Sequence, residues 1–209
     1  MDFDDTITTL ADLREIIAPP NDVVLAKEIG ELDEHCRDFI SRSPFIIIAS
    51  TDGAGSIDAS PKGDPPGFVK VLDNTTLAIP ERPGNHRADT LVNLLQHPHI
   101  GVIFLIPGTR NTLRVRGSAR IVRDRALLDS MSLGDKTPDL AIVVDMTVAY
   151  FHCAKCIIRS KLWSAEQEAA NAGRDDRLLA EAMVKHGDLP FSVDEMQEII
   201  VDDEANRLY

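Results

Sequence analysis

The chain has 209 residues, 44% of them hydrophobic. That suits one domain of ordinary size with extensions, and it excludes a disordered chain. The net charge of −12 makes nucleic acid a poor partner for the whole molecule, since such binding rewards a strongly basic surface.

The charge changes sign along the chain. Residues 1–40 carry three basic and 11 acidic side chains (net −8), residues 41–163 carry 15 and 11 (net +4), and residues 164–209 carry four and 12 (net −8). A mildly basic centre between acidic ends is compatible with a small anionic ligand. The start, MDFDDTITTL, lacks the basic and apolar regions of a secretory signal, so a cytoplasmic protein is expected. Apolar spacing predicts a helix over 8–18, stopped by Pro19-Pro20. A second helix over 31–42 would align Leu32, Cys36, Phe39 and Ile40 along one side. The β-branched run Phe45–Thr51 predicts a buried strand, and Asp52-Gly53 a hairpin turn after it. Gly53 and Gly55 do not make a dinucleotide-binding loop, because Asp58 stands where the third glycine belongs and no helix pattern follows.

Short strands are expected at 57–60, 68–72 and 76–79, then a helix over 86–96 ended by His97-Pro98. The strand at 100–106 lies in the run IGVIFLIP, too short to span a bilayer, and no membrane partner is expected. Residues 112–122 alternate: Leu113, Val115, Ala119 and Ile121 face one way, Arg114, Arg116, Ser118 and Arg120 the other. A helix is read at 124–131, one or two strands over 140–158, and helices at 178–185 and 193–201. Many short strands without βαβ spacing predict a mainly β fold, an antiparallel β-barrel with peripheral helices. The expected division is an N-terminal helical extension over 1–43, the barrel over 44–163, and an acidic helical extension over 164–209 packing on the barrel.

Ser60 to Arg87, SPKGDPPGFVKVLDNTTLAIPERPGNHR, carries the chemistry. Two Pro/Gly-rich turns surround short apolar runs, and Asn85-His86-Arg87 stands just before a helix. An arginine forks two donors toward a phosphate, and a helix N-terminus adds free N–H groups and a favourable dipole. Asn85 could itself cap that helix. Cys36, Cys153 and Cys156 are odd in number, which argues against a disulfide framework. Cys153 and Cys156 form C-x-x-C, but no second pair completes a zinc site, and on a strand the two would point to opposite faces. No metal is expected, at His97 and His99 included.

Together, DASPKGDPPGFVKV (58–71), LAIPERPGNHRADTLVNLLQHPHIGVIFLIPG (77–108), LRVRGSARI (113–121) and FHCAKCIIRSKLW (151–163) resemble the pyridoxamine 5′-phosphate oxidase-like flavoproteins. The resemblance covers roughly residues 30 to 165. It implies a six-stranded antiparallel split barrel, homodimeric, holding flavin mononucleotide (FMN) noncovalently at the subunit interface, and an FMN-dependent oxidoreductase activity. Ser60 and Lys62 would touch the ring edge or ribityl chain, with Lys62 stabilising a reduced, anionic flavin. Phe68, Val69 and Lys70 would run along the ring, and Ile79, Pro80, Glu81 and Arg82 would offer backbone contacts. Asn85 and Arg87 match the family's phosphate clamp, and Arg116 could approach the phosphate. Ser160, Lys161 and Trp163, with Lys155 and Arg159 nearby, would reach the partner subunit's flavin. A small-molecule substrate or a nicotinamide electron donor fits such a site. FVKV stands near the place of the R-x-V-L-L-K strand of true pyridoxamine 5′-phosphate oxidases, and RSKLW is followed by an acidic extension instead of their W…R-L-x-P ending. The same fold elsewhere binds the deazaflavin F420 or haem, and a non-catalytic flavin-binding protein is a further alternative.

Overall fold

The computed structural model describes residues 3–172 and 177–209. Residues 1–2 and 173–176, which belong to the two expected extensions, lie outside the described residues. The elements in order are α1 (Leu10–Ile16), α2 (Asp22–Leu25), α3 (Glu34–Arg42), β1 (Phe45–Thr51), β2 (Ile57–Gly63), β3 (Lys70–Val71), β4 (Thr76–Glu81), α4 (Asp89–Gln96), β5 (His99–Leu105), β6 (Thr112–Val122), α5 (Arg125–Ser130), β7 (Leu140–His152), α6 (Lys155–Ser160), α7 (Ala165–Asn171), α8 (Leu178–Gly187) and α9 (Val193–Asn206). The strands form one antiparallel sheet in the order β2-β1-β5-β6-β7-β4-β3. This is a mostly β architecture with peripheral helices, consistent with a split barrel. The six strands expected become seven, because the two-residue β3 pairs Lys70 with Ala78 and Val71 with Leu77.

The strand pattern follows from alternation. Ile46 and Ile48 of β1 are fully buried, and Ile48 pairs with Val102 on one side and Ser60 on the other. In β6, Leu113, Val115 and Ala119 are buried while Arg114, Arg116 and Arg120 are exposed. A register shift between Arg116 and Gly117 bends β6 against β7. Only glycine fits there, since a Cβ on Gly117 would sit 2.1 Å from the Asp145 carbonyl oxygen. Helix α3 lays Cys36, Phe39 and Ile40 onto this core. Its N-cap is Asp33, whose carboxylate accepts from the Cys36 N–H at 2.8 Å.

Two expectations change. Residues 68–72 provide only the short β3, and Phe68 and Val69 pack into the core ahead of it. Of the one or two strands read over 140–158 there is one, β7, and helix α6 follows it. Cys156 therefore lies in the first turn of a helix and not on a strand, so the alternation applied to it and Cys153 does not hold; both thiols are free and exposed. Helices α2 and α7 have no buried residue and left no apolar pattern to read.

The segment after α2 crosses the barrel, with Ile29 and Ala149 exchanging two backbone hydrogen bonds of 2.9 Å. Glu28 approaches Arg116 at 3.5 Å. Helices α8 and α9 bury Ala180 and Met196. Among the described residues, no helix is long and apolar enough to cross a membrane.

Candidate functional site

The ends of β2 and β4 face each other although the two strands lie near opposite margins of the sheet. Side chains join them. Lys62 Nζ on β2 meets Glu81 Oε2 on β4 at 2.7 Å, and Arg82 Nε donates to Asp64 Oδ2 at 2.6 Å. The Asp64 side chain is 1% exposed, and a charge so far from water needs such a partner. Arg82 Nη2 also donates to the Met131 carbonyl at 2.9 Å, and the Tyr209 hydroxyl donates to Asp64 Oδ1 at 2.8 Å.

Between these margins and the start of α4 lies a cavity of about 430 Å³. That is within the size range of small-ligand pockets, roughly 300–1,000 Å³. Alternation brings Asp58, Ser60 and Lys62 to its wall from one face of β2. Pro80, Glu81 and Arg82 form the opposite wall, and Asn85, Arg87 and Thr90 the third.

The third wall has unusual backbone. His86 (φ 61°) and Ala88 (φ 54°) both adopt the left-handed conformation, which costs a non-glycine residue roughly 1–3 kcal/mol. They turn Arg87 between them. Ala88 is the N-cap of α4, so no side chain caps the helix. Asn85 is not that cap; its Oδ1 instead accepts from the Arg87 N–H at 3.1 Å. The expected start of the helix at 86 moves to Asp89 for the same reason. Arg87 is 72% exposed and its Nε donates to Asp89 Oδ2 at 2.8 Å, while the charge of Asp58 also acts on it. Such an exposed pair contributes little, so a better anion can displace Asp89.

Two buried polar atoms of the cavity have no hydrogen-bond partner among the described residues: Thr90 Oγ1 and Asp58 Oδ2. Thr90 is 3% exposed. Buried polar groups are nearly always paired, so each marks a place where a ligand donor or acceptor fits. The chemistry of the wall is therefore a hydroxyl, open helix N–H groups and an arginine for an anion, and a carboxylate oxygen for a hydroxyl or N–H donor.

Of the residues expected from sequence, Ser60, Lys62, Phe68, Pro80, Glu81, Arg82, Asn85 and Arg87 line this cavity. Val69 and Ile79 are buried in the core, and Lys70 sits on β3. Arg116 borders a different, shallow hollow with Ile57, His99 and Thr147 on the outer sheet face. Ser160 and Trp163 line a third hollow, where Trp163 Nε1 donates to the Thr109 carbonyl at 3.0 Å; Lys161 pairs with Glu166 at 2.7 Å. Sequence reading missed Asp58, Asp64, Thr90 and Tyr209. Asp58 and Asp64 carried a signal, since they continue the alternate positions of Ser60 and Lys62. Thr90 stands in the first turn of the helix after Arg87, and Tyr209 carried no local signal. His152, by contrast, is held below the usual histidine range, chiefly by burial and then by the charges of Arg114 and Lys27.

The family model described as pyridoxamine 5′-phosphate oxidase matches residues 32–153. No curated protein matches the chain. Similar solved structures include an FMN-binding protein from Syntrophomonas wolfei subsp. wolfei, 9% identical, covering 68% of this chain and 95% of that one with a TM-score of 0.43. General Stress Protein 26 from Bacillus anthracis is 12% identical, covering 55% of this chain and 88% of that one, with a TM-score of 0.43. HutZ, the haem storage protein from Vibrio cholerae, is 13% identical, covering 58% and 94%, with a TM-score of 0.43.

Proposed function

Because the chain belongs to the pyridoxamine 5′-phosphate oxidase family, we propose that it binds FMN in the cavity between β2, β4 and α4 and works as an FMN-dependent oxidoreductase. The observation that carries this reading is the unsatisfied anion site at the start of α4. There, among the described residues, the helix has no side-chain cap, Thr90 Oγ1 is buried without a partner, and the Arg87 guanidinium pairs with Asp89 at the surface.

The residues fit the group. A phosphate monoester would take the Arg87 guanidinium from Asp89, accept from the Thr90 hydroxyl and accept from the free N–H groups of the first turn. Asp58 Oδ2 would accept from a hydroxyl of the sugar-alcohol chain. Lys62, fixed by Glu81, keeps a positive charge at the wall where a ring edge that gains negative charge would be stabilised. Phe68 adds an apolar surface to the same cavity. Bound FMN supplies hydride or electron chemistry at its ring; the chain supplies position, phosphate binding and charge. The reading includes a homodimer in which a second copy covers the open side of each cavity. Ile158, Leu162 and Trp163, exposed apolar groups at the end of α6, offer that copy a contact surface. A nicotinamide or a small organic molecule would be the electron donor.

The test is the visible spectrum of the purified protein, with mass identification of the released ligand. Flavin absorbance and the mass of FMN are expected. A colourless protein that takes up no added FMN refutes the reading.

A further inference from the structure

We propose that Tyr209, in the segment after α9, is a positioning residue for Arg82 of the ligand cavity. The inference rests on the flavin reading of that cavity. Tyr209 stands 145 residues from Asp64 in sequence, yet its hydroxyl donates to Asp64 Oδ1 at 2.8 Å. The other oxygen of the same carboxylate receives Arg82 Nε at 2.6 Å. Arg82 also lies over the Tyr209 ring, 5.8 Å from its centroid, within the range of a cation–π contact. Tyr209 therefore holds Arg82 twice, once through the carboxylate and once through the ring.

Arg82 is a cavity residue, and how it is held decides what it can offer. A guanidinium has five N–H donors. One on Nε goes to Asp64 and one on Nη2 to the Met131 carbonyl, which leaves three for a ligand. With the Tyr209 hydroxyl on Oδ1, Asp64 binds Arg82 through one oxygen only. Without that hydroxyl, Oδ1 is a buried acceptor lacking a donor, and a second N–H of the already bound Arg82 is a replacement that needs no new partner. The pair would then turn toward the bidentate form that arginine and carboxylate prefer, taking a donor away from the cavity. The approach of the segment is set by α9, which is anchored through buried Met196 and started by a capping box between Ser192 and Glu195.

Tyr209→Phe keeps the ring and removes only the hydroxyl, so folding is preserved. FMN titrated into the ligand-free full-length protein, followed by flavin fluorescence, should bind about five- to tenfold more weakly to Tyr209→Phe. Faster dissociation and a shifted flavin absorbance band are expected with it, in a ligand-free protein that still unfolds in one cooperative step. Tyr209→Ala should bind more weakly still. In an Asp64→Asn background, Tyr209→Phe should add nothing, because the hydroxyl acts through that carboxylate. FMN bound equally well and released equally fast by the wild type and both Tyr209 variants overturns the inference alone. A wild-type protein that binds no FMN overturns the flavin reading and the inference with it.

Discussion

Thr90→Val separates a binding residue from a folding residue. Valine has the shape of threonine without the hydroxyl. In the ligand-free protein Thr90 Oγ1 is buried and has no partner among the described residues, so the native chain bears the cost of removing that group from water. That cost is about 1–3 kcal/mol. Losing the hydroxyl should raise the stability of the ligand-free protein by an amount of that order. For a chain of this length, each kcal/mol moves Tm by about 2–4 °C. With FMN bound, the same hydroxyl donates to a charged phosphate, a contact worth about 1.5–3 kcal/mol, or roughly a ten- to hundredfold change in Kd. The variant should therefore melt higher when empty and bind FMN more weakly. Differential scanning fluorimetry of the ligand-free protein and fluorescence titration with FMN measure the two effects. A variant that melts lower shows that the hydroxyl is already satisfied in the empty protein. An unchanged Kd shows that it does not meet the phosphate.

Arg87→Ala should weaken FMN by roughly ten- to hundredfold while leaving riboflavin, which lacks the phosphate, within about threefold, since the exposed Asp89 pair contributes little to the empty protein. Equal loss of both ligands, read by parallel titrations, would contradict a phosphate role. Asp33→Ala should cost about 1 kcal/mol in urea unfolding at neutral pH and Asp33→Asn little, because asparagine caps equally well. The hydrogen bond from the Cys36 N–H holds the Asp33 carboxyl below its usual range. A lowered folded pKa gives stability that is present above the unfolded value near 3.8 and is lost as pH falls through the folded one. Asp33→Asn should accordingly flatten the stability curve below about pH 4. Burial first, and then Asp33, pushes the Cys36 thiol up to about 12. Iodoacetamide at neutral pH should modify Cys153 and Cys156 in the native protein and reach Cys36 only after unfolding, as intact-mass measurement would show.

Much of the fold was legible where one face of an element is buried and the other wet. The bounds of β6 follow from alternation of apolar and polar residues, and those of β1 from a β-branched run closed by Asp52-Gly53. β7 was harder, because Ala141 to Val144 are buried on both faces and give a continuous apolar run with no period to mark where the strand ends. α2 spans only four residues and α7 (AEQEAAN) carries no apolar stripe, so neither announced itself, whereas the spacing in α1 did although it too buries nothing. In the site, local sequence pointed to Asn85 and Arg87, since turn residues and an arginine before a helix are short-range signals, whereas Ser60 and Lys62 came from the family resemblance. The partners Glu81 for Lys62 and Asp64 for Arg82 depend on strands meeting across the barrel. The positive φ of His86 and Ala88, which moved the helix cap away from Asn85, depends on packing that no local propensity encodes.

The cavity walls come from strands near opposite margins of the sheet, and among the described residues side chains rather than a backbone ladder tie β2 to β4. This makes the cavity a late product of folding. β1 and β5, and β4 and β7, must first find each other across long stretches of chain, pairings that carry a large loop-closure cost. Only then do the two margins come within reach. A molecule that grips both would act as a brace across the seam. Its mark would be slowed amide hydrogen exchange at the ends of β2 and β4 together, two stretches that share no ladder and would otherwise open independently.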